Sequence, residues 1–359
     1  MRSFPILSLF CFGFEGITLP DHFRPLLEAG LGGVILFARN LRDLEQIFRL
    51  TAGLHAAASA PLLVGVDQEG GRVTRLPAPF LTPPSAATLG LADDPALTNA
   101  LGRAVGRELR AAGLTWNLAP VLDVRTNPAN PVIGDRAFSH DPDRVARHGV
   151  AAIQGLTDAG VLATIKHFPG HGDTVADSHL TLPESMQSAS RWRAVEFVPF
   201  HRAIRAGAPL VMVAHLFCPA LDPASPTSLS RPVITGILRE ELGFDGVVVS
   251  DDLEMSAIAD RFDPGQAAVR FLEAGGDLVL ICHDPERQRA AVTAVQEAER
   301  SGRLTEARLM ASLNRIARLR EWMATHRAPV DVEAARAIVG APDHQRLLRK
   351  IHTVVGGSQ

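Results

Sequence analysis

The chain has 359 residues, 46% hydrophobic and 21% charged, a balance that excludes a disordered or fibrous polypeptide and leaves material for a large core. A formal charge of −3 with no long basic run excludes the footprint of a nucleic-acid binder, and no Lys/Arg-rich amphipathic stretch suggests a membrane surface. Three widely spaced cysteines, Cys11, Cys218 and Cys282, make no disulfide framework and point to a reducing compartment.

The apolar run Phe4–Phe14 follows Arg2 and imitates the core of a signal peptide. It lacks a small-x-small cleavage site, and Gly16–Pro20 lead straight into a helical pattern, so it reads as a first strand and a cytoplasmic location is expected. Strands are predicted at Ile6–Phe10, Gly33–Phe37, Leu62–Val66, Leu114–Asn117, Val161–Ile165, Leu210–Val213, Gly246–Val249 and Leu278–Ile281. Helical periodicity fills the gaps at Asp21–Ala29, Asp43–Ala57, Ala96–Ala112, Pro142–Asp158, Arg193–Ala206, Pro232–Leu242, Pro264–Ala274 and Pro285–Ser301.

Eight strand-helix units favour a closed parallel barrel over an open doubly wound sheet, and no G-x-G-x-x-G turn follows the first strand. The expected fold is α/β, a single (β/α)8 TIM-type barrel over residues 1–303. Residues 304–359 should add two or three helices packed on it, broken at Pro329 and at Gly340-Ala341-Pro342. Two long connections, Asp67–Pro95 and His167–Ser190, are the expected carriers of a site.

Side chains just beyond barrel strands converge on one mouth. Those positions hold Arg39-Asn40, Asp67, Asn117, Lys166-His167, His215, Asp251 and His283. The richest segment, K-H-F-P-G-H-G-D-T-V-A-D-S-H over Lys166–His179, suggests a metal site built from His167, His171, Asp173, Asp177 and His179. Lys166 would set a cation beside that metal, and no Cys or H-E-x-x-H element supports it, so no metal and no cofactor are expected. Acid/base chemistry fits better: Asp177 and His179, two apart in an extended loop, can meet, and the carboxylate would support a protonated imidazole.

The segment G-F-D-G-V-V-V-S-D-D-L-E-M, Gly243–Met255, is an apolar strand ending in two carboxylates. Adjacent side chains diverge, so one of Asp251 and Asp252 should enter the mouth and the other cap the following helix. One carboxylate and an opposed proton donor are the minimum for glycoside cleavage. Asp67, Arg75, Arg136, Lys166 and His167 could supply the bidentate contacts that a sugar needs, although the two arginines could equally form surface ion pairs.

These motifs resemble glycoside hydrolase family 3, and within it the NagZ-type β-N-acetylglucosaminidases. The resemblance spans about Gly32–Asp284 through G-G-V-I-L-F-A-R-N, V-D-Q-E-G-G-R-V, N-L-A-P-V-L-D-V, Pro131–Ser139, K-H-F-P-G-H-G with D-S-H, Ala214-His215 and S-D-D-L-E-M. It implies Asp251 as nucleophile, His179 as acid/base on a mobile loop with Asp177 as its partner, and Asp67, Arg75, Arg136, Lys166 and His167 around the nonreducing sugar. It also implies a peptidoglycan-turnover substrate, N-acetylglucosamine β-1,4-linked to an anhydro-muramic unit with or without peptide. A cytoplasmic recycling role for a monomer goes with it. The segment Ser8–Glu15 is a loose match, and the tail after Leu304 is not distinctive. Rival readings are a phosphorylase or β-glucosidase of the same family, catalysis assisted by the substrate acetamide, and an inactive carbohydrate-binding barrel.

Overall fold

The structure, a computed structural model, describes residues 4–175, 181–326 and 331–356. Eight short strands form one parallel sheet: β1 (Phe10–Phe12), β2 (Gly33–Leu36), β3 (Leu63–Val66), β4 (Trp116–Asn117), β5 (Leu162–Phe168), β6 (Leu210–Val213), β7 (Val247–Ser250) and β8 (Val279–Ile281). Their order is β7-β6-β5-β4-β3-β2-β1-β8, and the two ends meet through a parallel bridge between Val249 and Leu278. The Ser250 N–H donates to the Leu278 carbonyl at 3.1 Å and the Leu253 N–H to Leu280 at 3.0 Å, so the row closes into the predicted (β/α)8 barrel. Every strand residue is buried, as expected where helices cover the outside and side chains fill the inside.

The first strand lies later than the sequence suggests. Ile6–Leu9 is a 3-10 turn, with the Ser8 N–H bonded to the Pro5 carbonyl, and pairing with Gly33 and Val279 begins only at Phe10 and Cys11. Pro5 fixes the turn geometry, and the Ser8 hydroxyl is drawn to the Gly30 carbonyl at 2.8 Å, so an apolar run that satisfies strand periodicity starts as a plug under the barrel. The predicted helix Arg193–Ala206 is two, Ala189–Ala194 and Phe197–Arg205, broken at Val195. Pro232–Glu241 is wound with π-type bonding, closed by the Leu242 N–H on the Ile237 carbonyl.

After the barrel come helices Glu306–Thr325, Val332–Ile338 and Pro342–Gly356. The first seals the end of the barrel away from the mouth: Arg308 and Arg315 reach the buried Asp277 just before β8, and Arg320 donates to the Gly30 and Leu31 carbonyls before β2. The last docks on helix Pro95–Ala111 through His344 Nδ1, 2.6 Å from the buried Glu108 carboxylate. No helix among the described residues is long and apolar enough to cross a membrane.

Candidate active site

The strands open on a cavity of about 420 Å3, within the roughly 300–1,000 Å3 typical of small-molecule pockets. Its walls include Asp67, Glu69, Arg75, Arg136, Lys166, His167, His171, Asp251, Asp252 and His283, with Phe37, Met212 and Leu280 as apolar surface. All five expected sugar-binding residues and Asp251 are therefore brought together. Asp177 and His179 lie outside the described residues.

One wall is a run of alternating charges. Lys166 Nζ stands 2.6 Å from Asp67 Oδ1 and 2.6 Å from Glu69 Oε1, and Glu69 takes both Arg136 Nε and Nη2 at 2.8 Å. Arg136 Nη2 then lies 3.3 Å from His167 Nε2, and His167 Nδ1 lies 2.7 Å from Asp123 Oδ2. Burial alone would raise the Glu69 pKa, but the Lys166 and Arg136 charges outweigh it and hold the carboxyl well below the usual range. In return, the Asp67 and Glu69 carboxylates overcome burial to keep Lys166 and Arg136 firmly protonated. Neither Glu69 nor Asp123 stood out in the sequence; both sit inside motifs whose cations need buried counter-charges, and that need was the available signal.

Local structure sets these positions. Lys166 and His167 are neighbours on β5 and would diverge in a regular strand. The pairing of β5 with β6 shifts register between Ile165 and Phe168, so both side chains reach the cavity. The Asp67–Arg75 segment folds back at Gly70, whose φ of 104° and whose missing Cβ, which would lie 2.3 Å from the Pro84 carbonyl oxygen, both require glycine. Gln68 holds that turn, accepting the Arg75 and Leu76 N–H groups. Arg75 itself has a buried Nε with no hydrogen-bond partner, and its guanidinium forms no ion pair among the described residues, so its donors remain for a ligand.

Across the cavity, Asp251 leaves β7 with its N–H on the Val213 carbonyl and its Oδ1 accepting the Asp252 N–H at 2.9 Å. Burial would raise its pKa, but the neighbouring His215, His167 and Lys166 and the Asp252 N–H outweigh burial and keep it ionised below the usual carboxylate range. Asp252 corrects the sequence reading. It lines the same cavity and accepts the Glu254 N–H in a tight turn, and helix Ser256–Ala259 has no side-chain cap. Burial and the neighbouring Glu254 push its carboxyl up to about 7.

Three of the seven polar strand ends do not face the cavity. Asn40 bonds the Phe14 and Gly16 carbonyls, Asn117 pairs with the main chain of Gln68, and His215 lies between Ser228 Oγ and the Asp252 carbonyl. Of the histidines considered as metal ligands, His171 is pushed down to about 4 by burial, and His167 is engaged by Asp123. Asp173 accepts from Thr126, Ser185 and Gln187. Among the described residues only Asp252, Glu254 and His283 bring ligand-type atoms within 4.8 Å of one another, and both Glu254 oxygens already accept the His283 and Asp284 N–H groups.

Residues 13–319 match the glycosyl hydrolase family 3 N terminal domain. The chain is 35% identical to a curated β-hexosaminidase A of Pseudoalteromonas piscicida, over 92% of its own length but only 60% of that protein's. A family 3 β-N-acetylglucosaminidase from Paenibacillus sp. FPU-7 superposes with a TM-score of 0.94 at 42% identity, covering 98% of this chain and 68% of that one. NagZ from Neisseria gonorrhoeae, solved with N-trifluoroacetyl-D-glucosamine, superposes with a TM-score of 0.79 at 31% identity, covering 97% and 98%. By the match over residues 13–319 and these identities, the chain belongs to glycosyl hydrolase family 3, as a glycosidase of the β-hexosaminidase kind.

Proposed function

We propose that the chain is a retaining exo-β-N-acetylglucosaminidase that removes a terminal nonreducing β-1,4-linked N-acetylglucosamine. The observation that carries this reading is the ionised, buried Asp251 facing the Asp67–Lys166–Glu69–Arg136–His167 wall across one cavity. The wall offers fixed donors and acceptors to the hydroxyls of one sugar, and the unpartnered Arg75 donors add to them. Asp251 then attacks the anomeric carbon, displacing the aglycone oxygen and forming a covalent glycosyl-enzyme. His179, supported by Asp177, protonates the departing oxygen and afterwards takes a proton from the water that releases the sugar, with retention of configuration.

The natural substrate in this reading is a peptidoglycan-turnover fragment, N-acetylglucosamine on an anhydro-muramic unit, processed in the cytoplasm by a monomer. Its support is the near-complete mutual coverage with the gonococcal NagZ, together with three unpaired buried thiols, which fit a reducing compartment.

The test is release of 4-nitrophenol from the β-N-acetylglucosaminide, β-glucoside and β-N-acetylgalactosaminide, with and without phosphate. Selective release from the first without phosphate is expected. Release that requires phosphate would replace hydrolysis by phosphorolysis, and silence on all three would overturn the reading.

A further inference from the structure

We infer that Asp123 is a positioning residue that locks His167 in the Nδ1–H tautomer, so that its Nε2 meets the sugar as a hydrogen-bond acceptor and the pocket selects for a hydroxyl able to donate there. The inference rests on the reading above that His167 touches the sugar, and it adds the direction of that contact.

Asp123 is fully buried at the end of the connection from β4 and lies outside the cavity lining. Its carboxylate is shared out completely. Oδ2 stands 2.7 Å from His167 Nδ1, while Oδ1 accepts the His167 N–H at 3.3 Å and the His171 N–H at 2.6 Å. Burial disfavours this charge, but His167, His171 and the His171 N–H outweigh burial and hold the carboxyl below its ordinary range, so it is an acceptor only. His167 Nδ1 must therefore carry the proton between them.

The other ring nitrogen is decided independently. Arg136 Nη2 lies 3.3 Å from His167 Nε2. A guanidinium can only donate, so a proton on Nε2 would set two N–H groups against each other, whereas a lone pair there accepts. Arg136 cannot turn away freely, because Glu69 holds its Nε and Nη2 at 2.8 Å each. Two fixed partners on opposite sides of the ring thus agree on one neutral tautomer. The Nε2 lone pair takes the Arg136 N–H. A sugar hydroxyl entering this corner accepts that N–H instead and replaces it on Nε2 with its own O–H as donor, and the two bonds polarise each other. A substituent that accepts but cannot donate, such as fluorine, must compete with Nε2 for the Arg136 N–H and returns no donor to Nε2.

Asp123→Asn is the discriminating change, because Asn keeps an oxygen for the two main-chain N–H groups while presenting an N–H to Nδ1, which drives the ring proton to Nε2. The experiment records imidazole 15N spectra of the full chain, with the His167 signals identified by their loss in His167→Ala, beside kcat/KM on 4-nitrophenyl β-N-acetylglucosaminide. We expect a pyridine-type Nε2 in the native protein and a pyrrole-type Nε2 in Asp123→Asn. The variant should lose about 10- to 100-fold in kcat/KM, the scale of one mismatched buried hydrogen bond. Asp123→Asn combined with His167→Ala should fall no further than His167→Ala alone, since the one acts through the other. A protonated Nε2 in the native protein overturns the assignment even if the variant fails to fold, and so do additive losses in the double variant. Normal turnover in His167→Ala would instead strike at the sugar-binding reading while leaving the tautomer measurable.

Discussion

Asp252 shows how one buried side chain on the cavity wall can be expensive to the fold. Its carboxyl is pushed up to about 7 by burial and by Glu254, whereas an unfolded chain would give it the ordinary value of 3.8. The folded state therefore binds this proton more tightly, so the group's contribution to stability is complete below pH 4 and is lost as pH rises towards 7. Asp252→Asn has no such proton to lose. Relative to the native protein it should become more stable between pH 4 and pH 8, by on the order of 4 kcal/mol at most. Denaturant unfolding of both proteins at pH 5 and pH 8 checks this, and a stability difference independent of pH would contradict it.

At the scale of elements, the apolar runs and the polar residues after them were readable, because a strand buried on both faces must be apolar throughout and must end where the mouth begins. The inward set was harder to read. Asn40, Asn117 and His215 have the same polar character as Asp67 or His167, yet they are consumed by main-chain carbonyls, N–H groups and a serine that pattern alone does not reveal. The register shift in β5, which turns both Lys166 and His167 inward, was equally hidden, since the shifted stretch Ile165–Phe168 itself contains no glycine or proline. The first strand slipped for a related reason: Ile6–Leu9 is apolar because it plugs the barrel floor, a demand indistinguishable in sequence from strand burial.

The loop that leaves β5 makes its own prediction. A Cβ on Gly172 would stand 1.8 Å from the Val124 carbonyl oxygen, beside Asp123 and the His171 N–H that it holds. Gly172→Ala must push these two segments apart, at a cost of about 1–3 kcal/mol. It should lower kcat at least about 10-fold, because a displacement near 1 Å in supporting structure can cost that much or more. Gly53→Ala, in helix Leu44–Ala57 with nothing within 4 Å, is the control and should leave kcat unchanged. Equal kcat values for the two variants would show that the loop root does not place the catalytic groups.

For the whole molecule, the C-terminal helices are part of the barrel's packing. Glu108 is almost fully buried, and its carboxylate serves the Leu81 N–H, the Gly340 N–H and His344 at once, joining the long loop after β3 to the last helix. His344→Ala removes one of these partners from a buried charge and should destabilise the fold by about 1–3 kcal/mol, with kcat/KM on the nitrophenyl substrate unchanged. An unaltered Tm would mean that this contact does not hold the tail. The expectation of helices after Leu304 is met, and several of their contacts depend on single polar residues, such as Arg320 and His344, whose partners lie more than two hundred positions away.

The proposed mechanism requires that Asp251 bond covalently to the anomeric carbon of N-acetylglucosamine during turnover. Intact-mass and peptide analysis of the protein after reaction with 5-fluoro-β-N-acetylglucosaminyl fluoride, which slows breakdown of a glycosyl-enzyme, tests it most directly. One added sugar is expected, located on the peptide containing Asp251 and absent from Asp251→Ala. A sugar attached at any other residue, or native turnover of this reagent with no adduct, would contradict it.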